Sequence, residues 1–505
     1  MRLARFPPGT PPPRWRGEST GTTRAGAGAW AGVAAATVLA IVLRGAFVGD
    51  QSLGYEEVFT ASVTGHPTLS GLWHALRATE STPPLYYLLT WISVTVTGDH
   101  SAVALRMVSL LAGCATVPVS FFAMRRFVGP RLAVVVAWLS AISPFLFEYS
   151  LYARSYAVLV LLVMLSLWAL GALLEQPSWG RWILWGWAAA ACLWTHYFAV
   201  FMVIAEGAVL LAKLPGQRTR LVLCSLAVAA SFAPLWSLFR AQRGTSAQFF
   251  FITAKPLASR LEDVVRQFTM GTNVPSAWLE GAGILLAGAA ILLAVLRTPR
   301  GESTPVFAAL ALIAAGLPVL GALTGVGDYL LPRNIIGAWI CLAPLAAYGL
   351  TRWRGLPLVA YTGVCLAAIL AGQTNWRYHR STDWAGASAR VTESAAGVPI
   401  AVLPAMELAV AGLYLHRRPL PAPIDTADLW VMVEPVRAAH QRALGPVVDP
   451  PLDRLWGPAL QPVGEVDYRG FRLIHLRAPA PTPVAPAPSP YNGPATAPLA
   501  AVLAP

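Results

Sequence analysis

The chain has 505 residues, of which 56% are hydrophobic and only 12% charged, and it carries a formal net charge of +13. Apolar runs of span length recur from Ala29 almost to Gly372. No soluble core of this size requires them, so composition excludes a soluble globular protein and indicates a polytopic membrane protein. The arginines fall in short clusters between apolar runs, not in a patch interleaved with aromatics, so the positive charge reports topology and no nucleic-acid partner is expected.

Residues 1–27 are rich in Arg, Pro and Gly and have no apolar stretch, so they read as a disordered basic cytoplasmic tail and not as a signal peptide. Arg2, Arg5, Arg14, Arg16 and Arg24 place the N-terminus inside. The first span, 29–48, then delivers Asp50 and the polar stretch 50–101 to the outer face. That stretch gathers Glu56, Glu57 and Glu80 in a chain otherwise poor in acid. Within it Leu69, Leu72, Trp73 and Leu76 form one apolar stripe, which predicts an interfacial helix over 68–78. Pro83–Thr97 is apolar but short, roughly 22 Å as a helix against a hydrocarbon thickness of ~30 Å. A crossing there would push Arg125 and Arg126 outside, so this segment is expected to lie in or dip into the outer leaflet.

Eleven spans follow: 29–48, 102–124, 131–148, 155–174, 181–196, 198–213, 221–239, 279–296, 305–325, 331–350 and 356–372. The basic clusters at 125–131, 181, 213–220, 297–300 and 352–354 are then cytoplasmic, while 50–101, 148–155, 240–278 and 326–331 face outward together. The five cysteines, Cys114, Cys192, Cys224, Cys341 and Cys365, all sit in apolar runs without paired spacing, which indicates neither disulfides nor a zinc site. After Gln373 the apolar runs shorten to strand length at 399–403, 429–433 and 471–476, separated by helix-like stretches at 385–394 and 405–415. That rhythm predicts a small extracytoplasmic α/β domain over 373–477. The Ala-Pro repeats of 478–505 are expected to form a disordered tail.

Taken together, the motifs SLGYEEVFT and ESTPPLYYLLTW, then ALRMVSLLAG, YSLYARSYAV, THYF, DYLLPRN and STDWAGASARV, resemble the bacterial GT-C superfamily of membrane glycosyltransferases. Within it they are similar to the PMT-type, RgtA/B/C/D-like mannosyl- and glycosyltransferases that use polyprenyl-phosphate sugars. The resemblance covers about residues 30–400 and implies a GT-C-like transmembrane catalytic domain over 28–372 in the bacterial plasma (inner) membrane. It also implies inverting transfer from the polyprenyl-phosphate sugar to an extracytoplasmic glycan, lipid or protein acceptor, with membrane lipids as surroundings.

Such a transfer needs a carboxylate to take the acceptor proton and positive charge to hold the departing phosphate. The family usually carries Asp-Glu in the first outer loop; the matching residues are Glu56 and Glu57, so the carboxylate is one methylene longer. The resemblance makes Glu56 the general base, with Glu57 and Glu80 organising the loop or, with Glu148, holding a divalent cation such as Mg or Mn. The family often has an acid where Tyr152 stands, which leaves Glu148 as the nearby carboxylate. Arg154 is expected on the donor phosphate, with Arg106, His196, Arg44, Tyr86 and Arg333 around the phosphate and its lipid. Arg106 and Arg44 have a second reading, as neutralisers of Glu57 or Glu80, and His196 a second reading as a helix cap. Glu206, an acid inside a span with Lys213 or Arg181 as candidate partners, is the basis of an alternative: a transporter or flippase of lipid-linked saccharides. A further alternative is an inactive GT-C-like scaffold.

Overall fold

The computed structural model describes residues 25–243, 252, 255–297, 303–395, 397–404, 407–418, 420, 423–434, 456, 458–484 and 501–504. The expected cytoplasmic tail, 1–27, lies almost wholly outside the described residues. Among these residues eight helices are long and apolar enough to cross a membrane: Ala27–Phe47, Ala102–Ile142, Tyr156–Glu175, Pro215–Gln242, Ala277–Arg297, Thr304–Thr324, Pro332–Leu350 and Trp353–Thr374. The first half of the chain runs as α1 (Ala27–Phe47), α2 (Tyr55–Thr64), α3 (Leu69–Thr79), α4 (Leu85–Thr97), α5 (Ala102–Ile142), α6 (Pro144–Ser150), α7 (Tyr156–Glu175), α8 (Trp179–Thr195) and α9 (Ala199–Lys213).

The difference between eight and the expected eleven has physical causes. The expected spans 102–124 and 131–148 are joined in α5, whose 41 residues are broken at Gly129 (φ 76°, ψ 166°), a conformation open to glycine, just before Pro130. The chain folds back there. Arg106, near the start of α5, and Ser150, beyond its end, lie at the same end of the bundle, and a Cβ on Gly113 would stand 2.1 Å from Ser150 Oγ. Arg125, Arg126 and Arg131 sit around the bend, where Arg126 pairs with Glu175 at the end of α7. The expected span 131–148 also ends early: Ser143 caps the separate short helix α6, its Oγ accepting from Leu146 N at 3.2 Å. The other two segments, α8 and α9, are apolar but have only 17 and 15 residues.

In the loop after α1 a helix forms over Leu69–Thr79, where the apolar stripe predicts one. In α3, Leu72 and Leu76 are buried while Leu69 is exposed at the edge of the stripe. The apolar segment after Pro84 forms a helix of only 13 residues, ended by Gly98 in the left-handed region.

Beyond the last span, strands β1 (Ile400–Leu403), β2 (Ile424–Val433), β3 (Gln461–Tyr468), β4 (Phe471–Val484) and β5 (Ala501–Leu503) form one sheet in the order β3-β4-β2-β1-β5. The β1–β2 pair is parallel and the other pairs are antiparallel. The α/β rhythm is thus present, but the boundary at 478 needs correction. β4 runs on to Val484 and β5 edges the sheet, because backbone pairing with Ile424–Thr426 and with β1 seats Val484, Val502 and Leu503 in the apolar core. One sheet face, with Trp384, Ala387 and Val391 of the helix Trp384–Ser394, shares a single apolar cluster with Leu53, Val58, Leu105 and Ala153 of the membrane region. The domain is therefore seated on the acidic loop that follows α1.

Close approach at Gly113 generates a stability test. Gly113→Ala forces α5 apart from α6 and should cost ~1–3 kcal/mol, lowering the melting temperature in detergent. Gly45→Ala, where a Cβ meets nothing within 4 Å, should leave it unchanged or slightly higher.

Candidate active site

The site grows from the first turn of α2. Glu56 and Glu57 are neighbours on a helix, so their side chains diverge by ~100° and face different surroundings. Glu57 accepts from Gly54 N at 3.0 Å, closing the start of the helix, and from Ala153 N at 2.8 Å. It then meets Arg106 as a fork: Nε to Oε1 at 2.8 Å and Nη2 to Oε2 at 2.7 Å. The other Arg106 donors reach Val48 O, Gln51 O and Ser52 O at 2.8–3.0 Å. A guanidinium has five N–H groups, and all five are engaged. Both side chains are buried, at 3% and 1% exposure. Burial pushes the Glu57 carboxyl up, but Arg106 and the two backbone amides outweigh it and bring it below the usual range.

Glu56 faces the other way and keeps 29% exposure. Its Oε1 accepts from Arg333 Nη1 at 2.8 Å and its Oε2 from the Tyr152 hydroxyl at 3.0 Å. Arg154 Nε stands 4.0 Å from Oε2. Burial pushes this carboxyl up, but Arg333, Arg154 and Arg380 together with the Tyr152 hydroxyl bring it down to about 2. Arg154 is aimed by Glu80, which takes its Nη1 at 2.6 Å, and it lies over the Tyr87 ring. Gln242 Nε2 donates to Thr82 O at 3.1 Å, fixing the loop that carries Glu80. Glu148 accepts from Thr272 N at 3.1 Å and from Arg380 Nη1 at 3.3 Å.

The structure therefore brings Glu56, Glu80, Arg154 and Arg333 together and gives other predicted residues different work. Arg106 neutralises Glu57, the second of its two readings. Arg44 is buried and donates to Ser150 Oγ, Ala141 O and Ser140 O at 3.0–3.1 Å, so it staples α1 to the end of α5 and meets neither acid. Tyr86 is fully buried with its hydroxyl accepting from Ser109 at 3.2 Å, behind the site instead of lining it. His196 follows α8, its ring between Tyr156 and Phe198 and its Nδ1 accepting from Phe198 N at 3.3 Å, the capping role of its second reading. Glu206 meets neither Lys213 nor Arg181 in its hydrogen bonds, which come from Ser166 Oγ at 2.6 Å and Trp185 Nε1 at 2.7 Å.

The cation set does not assemble. Among the described residues no three His, Cys, Asp or Glu side chains gather to hold a metal. Glu57, Glu80 and Glu148 each face an arginine, so their oxygens are directed to guanidinium groups. Committed to guanidinium groups in this way, these carboxylates do not fit a divalent ion.

Two residues at the site escaped the sequence reading. Tyr152, noted only as a departure from an acidic position, holds Glu56. Arg380 lies with its guanidinium carbon 3.4 Å from the Tyr152 ring centre. The basic cluster RYHR after the last span was the available signal, but it lies more than 300 residues from Glu56 in sequence. A cleft opens beside Arg380, lined also by Gln51, Glu148, Thr272, Asn273 and Gln373. Glu56 is absent from its lining, although the Tyr152–Arg380 stack joins the two.

Fold and site together define a polytopic helical membrane protein with an arginine–glutamate centre at one end of its bundle and a small sheet domain seated there. Residues 81–238 match the family model described as dolichyl-phosphate-mannose-protein mannosyltransferase. No curated protein matches the chain. Among solved structures it is similar to ArnT from Cupriavidus metallidurans bound to undecaprenyl phosphate, at 17% identity and a TM-score of 0.47 over 78% of this chain and 73% of that one. It is also similar to the Archaeoglobus fulgidus oligosaccharyltransferase tethered with an acceptor peptide, at 13% identity and a TM-score of 0.42 over 72% and 57%.

The two adjacent glutamates should separate cleanly on substitution. Glu57→Gln leaves Arg106 buried without its counter-charge and should cost ~3–5 kcal/mol in thermal unfolding. Glu56→Gln, at a partly exposed pair, should cost no more than about 1 kcal/mol.

Proposed function

We propose that the protein is an inverting membrane glycosyltransferase that moves a sugar from a polyprenyl-phosphate donor to an extracytoplasmic acceptor, with Glu56 as general base. The observation that carries this reading is the position of Glu56: a partly exposed carboxylate set between Arg333, Arg154 and Tyr152, beside three carboxylates held more deeply. In the reaction the acceptor hydroxyl oxygen attacks the anomeric carbon and its proton passes to Glu56. The bond from that carbon to the phosphate oxygen breaks with its electron pair, and polyprenyl phosphate departs against Arg333 and Arg154. The family match over 81–238 supports the donor class.

The proposed topology has eleven crossings, an inner N-terminus and an outer C-terminal domain. Its support is the reversal at Gly129, which sets Arg125, Arg126 and Arg131 at the end of the bundle opposite Glu57 and Arg106. The catalytic unit would be 28–372 in the bacterial plasma membrane, and the sheet domain would contribute to acceptor choice. For the transporter reading, Glu206 is the natural ion-path residue, yet its oxygens are taken by Ser166 and Trp185.

Charge balance adds a feature to the mechanism. Four arginines, Arg106, Arg154, Arg333 and Arg380, are matched by four glutamates, Glu57, Glu80, Glu56 and Glu148. An arriving phosphate competes with a carboxylate for its guanidinium, and Arg333 on the more exposed Glu56 is the partner most easily drawn. Losing it lets the Glu56 pKa rise from about 2 toward the ordinary carboxylate value, which makes it a better proton acceptor when the donor is in place.

Two outcomes follow. Glu56→Gln should reduce transfer by roughly 10²–10⁴-fold in membranes, measured as envelope glycan formed per unit of protein; retained wild-type transfer contradicts the assignment. The base must be ionised, so activity falls on the acid side, and the acid limb of kcat should lie at higher pH than that of kcat/KM because only the first reports the donor-bound enzyme.

A further inference from the structure

A glutamate side chain has three rotatable bonds, and a base must be held near one aim to act. Arg333 fixes one oxygen of Glu56 and is the residue proposed above to turn to the phosphate. The other oxygen depends on Tyr152, whose hydroxyl donates at 3.0 Å. The Tyr152 ring is buried and covered by Arg380, whose guanidinium carbon is 3.4 Å from its centre, close enough for a flat cation–π stack. Arg380 is itself fixed at both ends. Its Nη1 reaches Glu148 Oε1 at 3.3 Å, and its backbone N donates to Gln51 Oε1 at 3.0 Å.

The stack also has an address in the chain. Arg380 lies between the last span and Asp383, which caps the helix Trp384–Ser394 by accepting from Gly386 N at 3.0 Å. Asp383 also accepts from Tyr468 OH at 2.7 Å and Arg469 Nη1 at 2.8 Å, both at the β3–β4 turn. A line of contacts thus runs from the sheet domain through the 375–383 segment to the carboxylate.

We infer that Tyr152 and Arg380 are positioning residues for Glu56, and that through Arg380 the segment joining the membrane bundle to the C-terminal domain sets the aim of the base. The inference rests on Glu56 acting as base, and it assigns the stack a role that neither residue has by contact with substrate. Tyr152 keeps its hydrogen bond when Arg333 is drawn away, so it holds the carboxylate in place as its acidity changes.

The test titrates Glu56 in the purified full-length protein by infrared difference spectroscopy, with Glu56→Gln identifying the band. Envelope glycan per unit of protein is measured by mass spectrometry in cells carrying each variant as their sole copy. Tyr152→Phe keeps the ring and the stack but removes the donor; it should raise the Glu56 titration midpoint by about one pH unit and reduce product about tenfold at unchanged melting temperature. Arg380→Gln should shift the midpoint in the same direction, and Arg380→Lys, which restores the charge, should recover part of the shift. Unchanged midpoints in Tyr152→Phe and Arg380→Gln overturn the inference even where Glu56→Gln abolishes product. Wild-type product from Glu56→Gln defeats the base reading instead, whatever the midpoints show.

Discussion

Where α2 begins and α5 begins, the Glu57 carboxylate and the Arg106 guanidinium close on each other with every arginine donor used. A buried fork of this kind is costly to break, since removing either partner strands a charge away from water. It ties the loop after α1, the end of α1 through Val48 O, and the 151–155 turn through Ala153 N into one unit. The rotation of ~100° between successive helical residues then turns Glu56 out of that unit toward Arg333, Tyr152 and Arg154. Two adjacent glutamates of the same chemistry thereby acquire opposite tasks, one structural and one available for chemistry.

Electroneutrality gives the rest of the centre its logic. Each acid is matched by an arginine, and the pairs differ chiefly in how far they are removed from water. Glu57 and Glu80 are almost fully enclosed, while Glu56 and Arg333 keep 29% and 21% exposure. In the proposed reaction the least enclosed pair is the one that exchanges partners, and the enclosed pairs keep the geometry while it does. The sheet domain belongs to the same unit, because Trp384 and Phe471 share an apolar cluster with Leu53 and Val58 of the loop and Leu105 of α5, and Tyr414 OH takes Leu53 N at 2.6 Å.

Much of this was legible in the sequence where the signal is local. Span-length apolar runs, the apolar stripe that becomes α3 and the gathering of Glu56, Glu57 and Glu80 in one loop ahead of Pro83-Pro84 are all visible there. What failed was non-local. Sequence ranks Arg44 and Arg106 alike as cations near the outer face, whereas packing sends one to backbone carbonyls and the other to Glu57. Arg380 is more than 300 residues from Glu56, and no periodicity connects them. The cation set failed because nearby acids in a sequence do not reveal that each has its own guanidinium. The strand past Ala478 was hidden because Ala-Pro composition carries no burial signal, while a neighbouring strand supplied the pairing.

The central claim is that Glu56 and a donor phosphate share the same guanidinium. A cryo-electron microscopy structure of the full-length protein with undecaprenyl phosphate tests it most directly. The account predicts phosphate oxygens within hydrogen-bond distance of Arg333 and Arg154, with Glu56 released from Arg333 and still held by Tyr152. Phosphate bound away from both arginines, or bound while the Glu56–Arg333 pair stays closed, would contradict it.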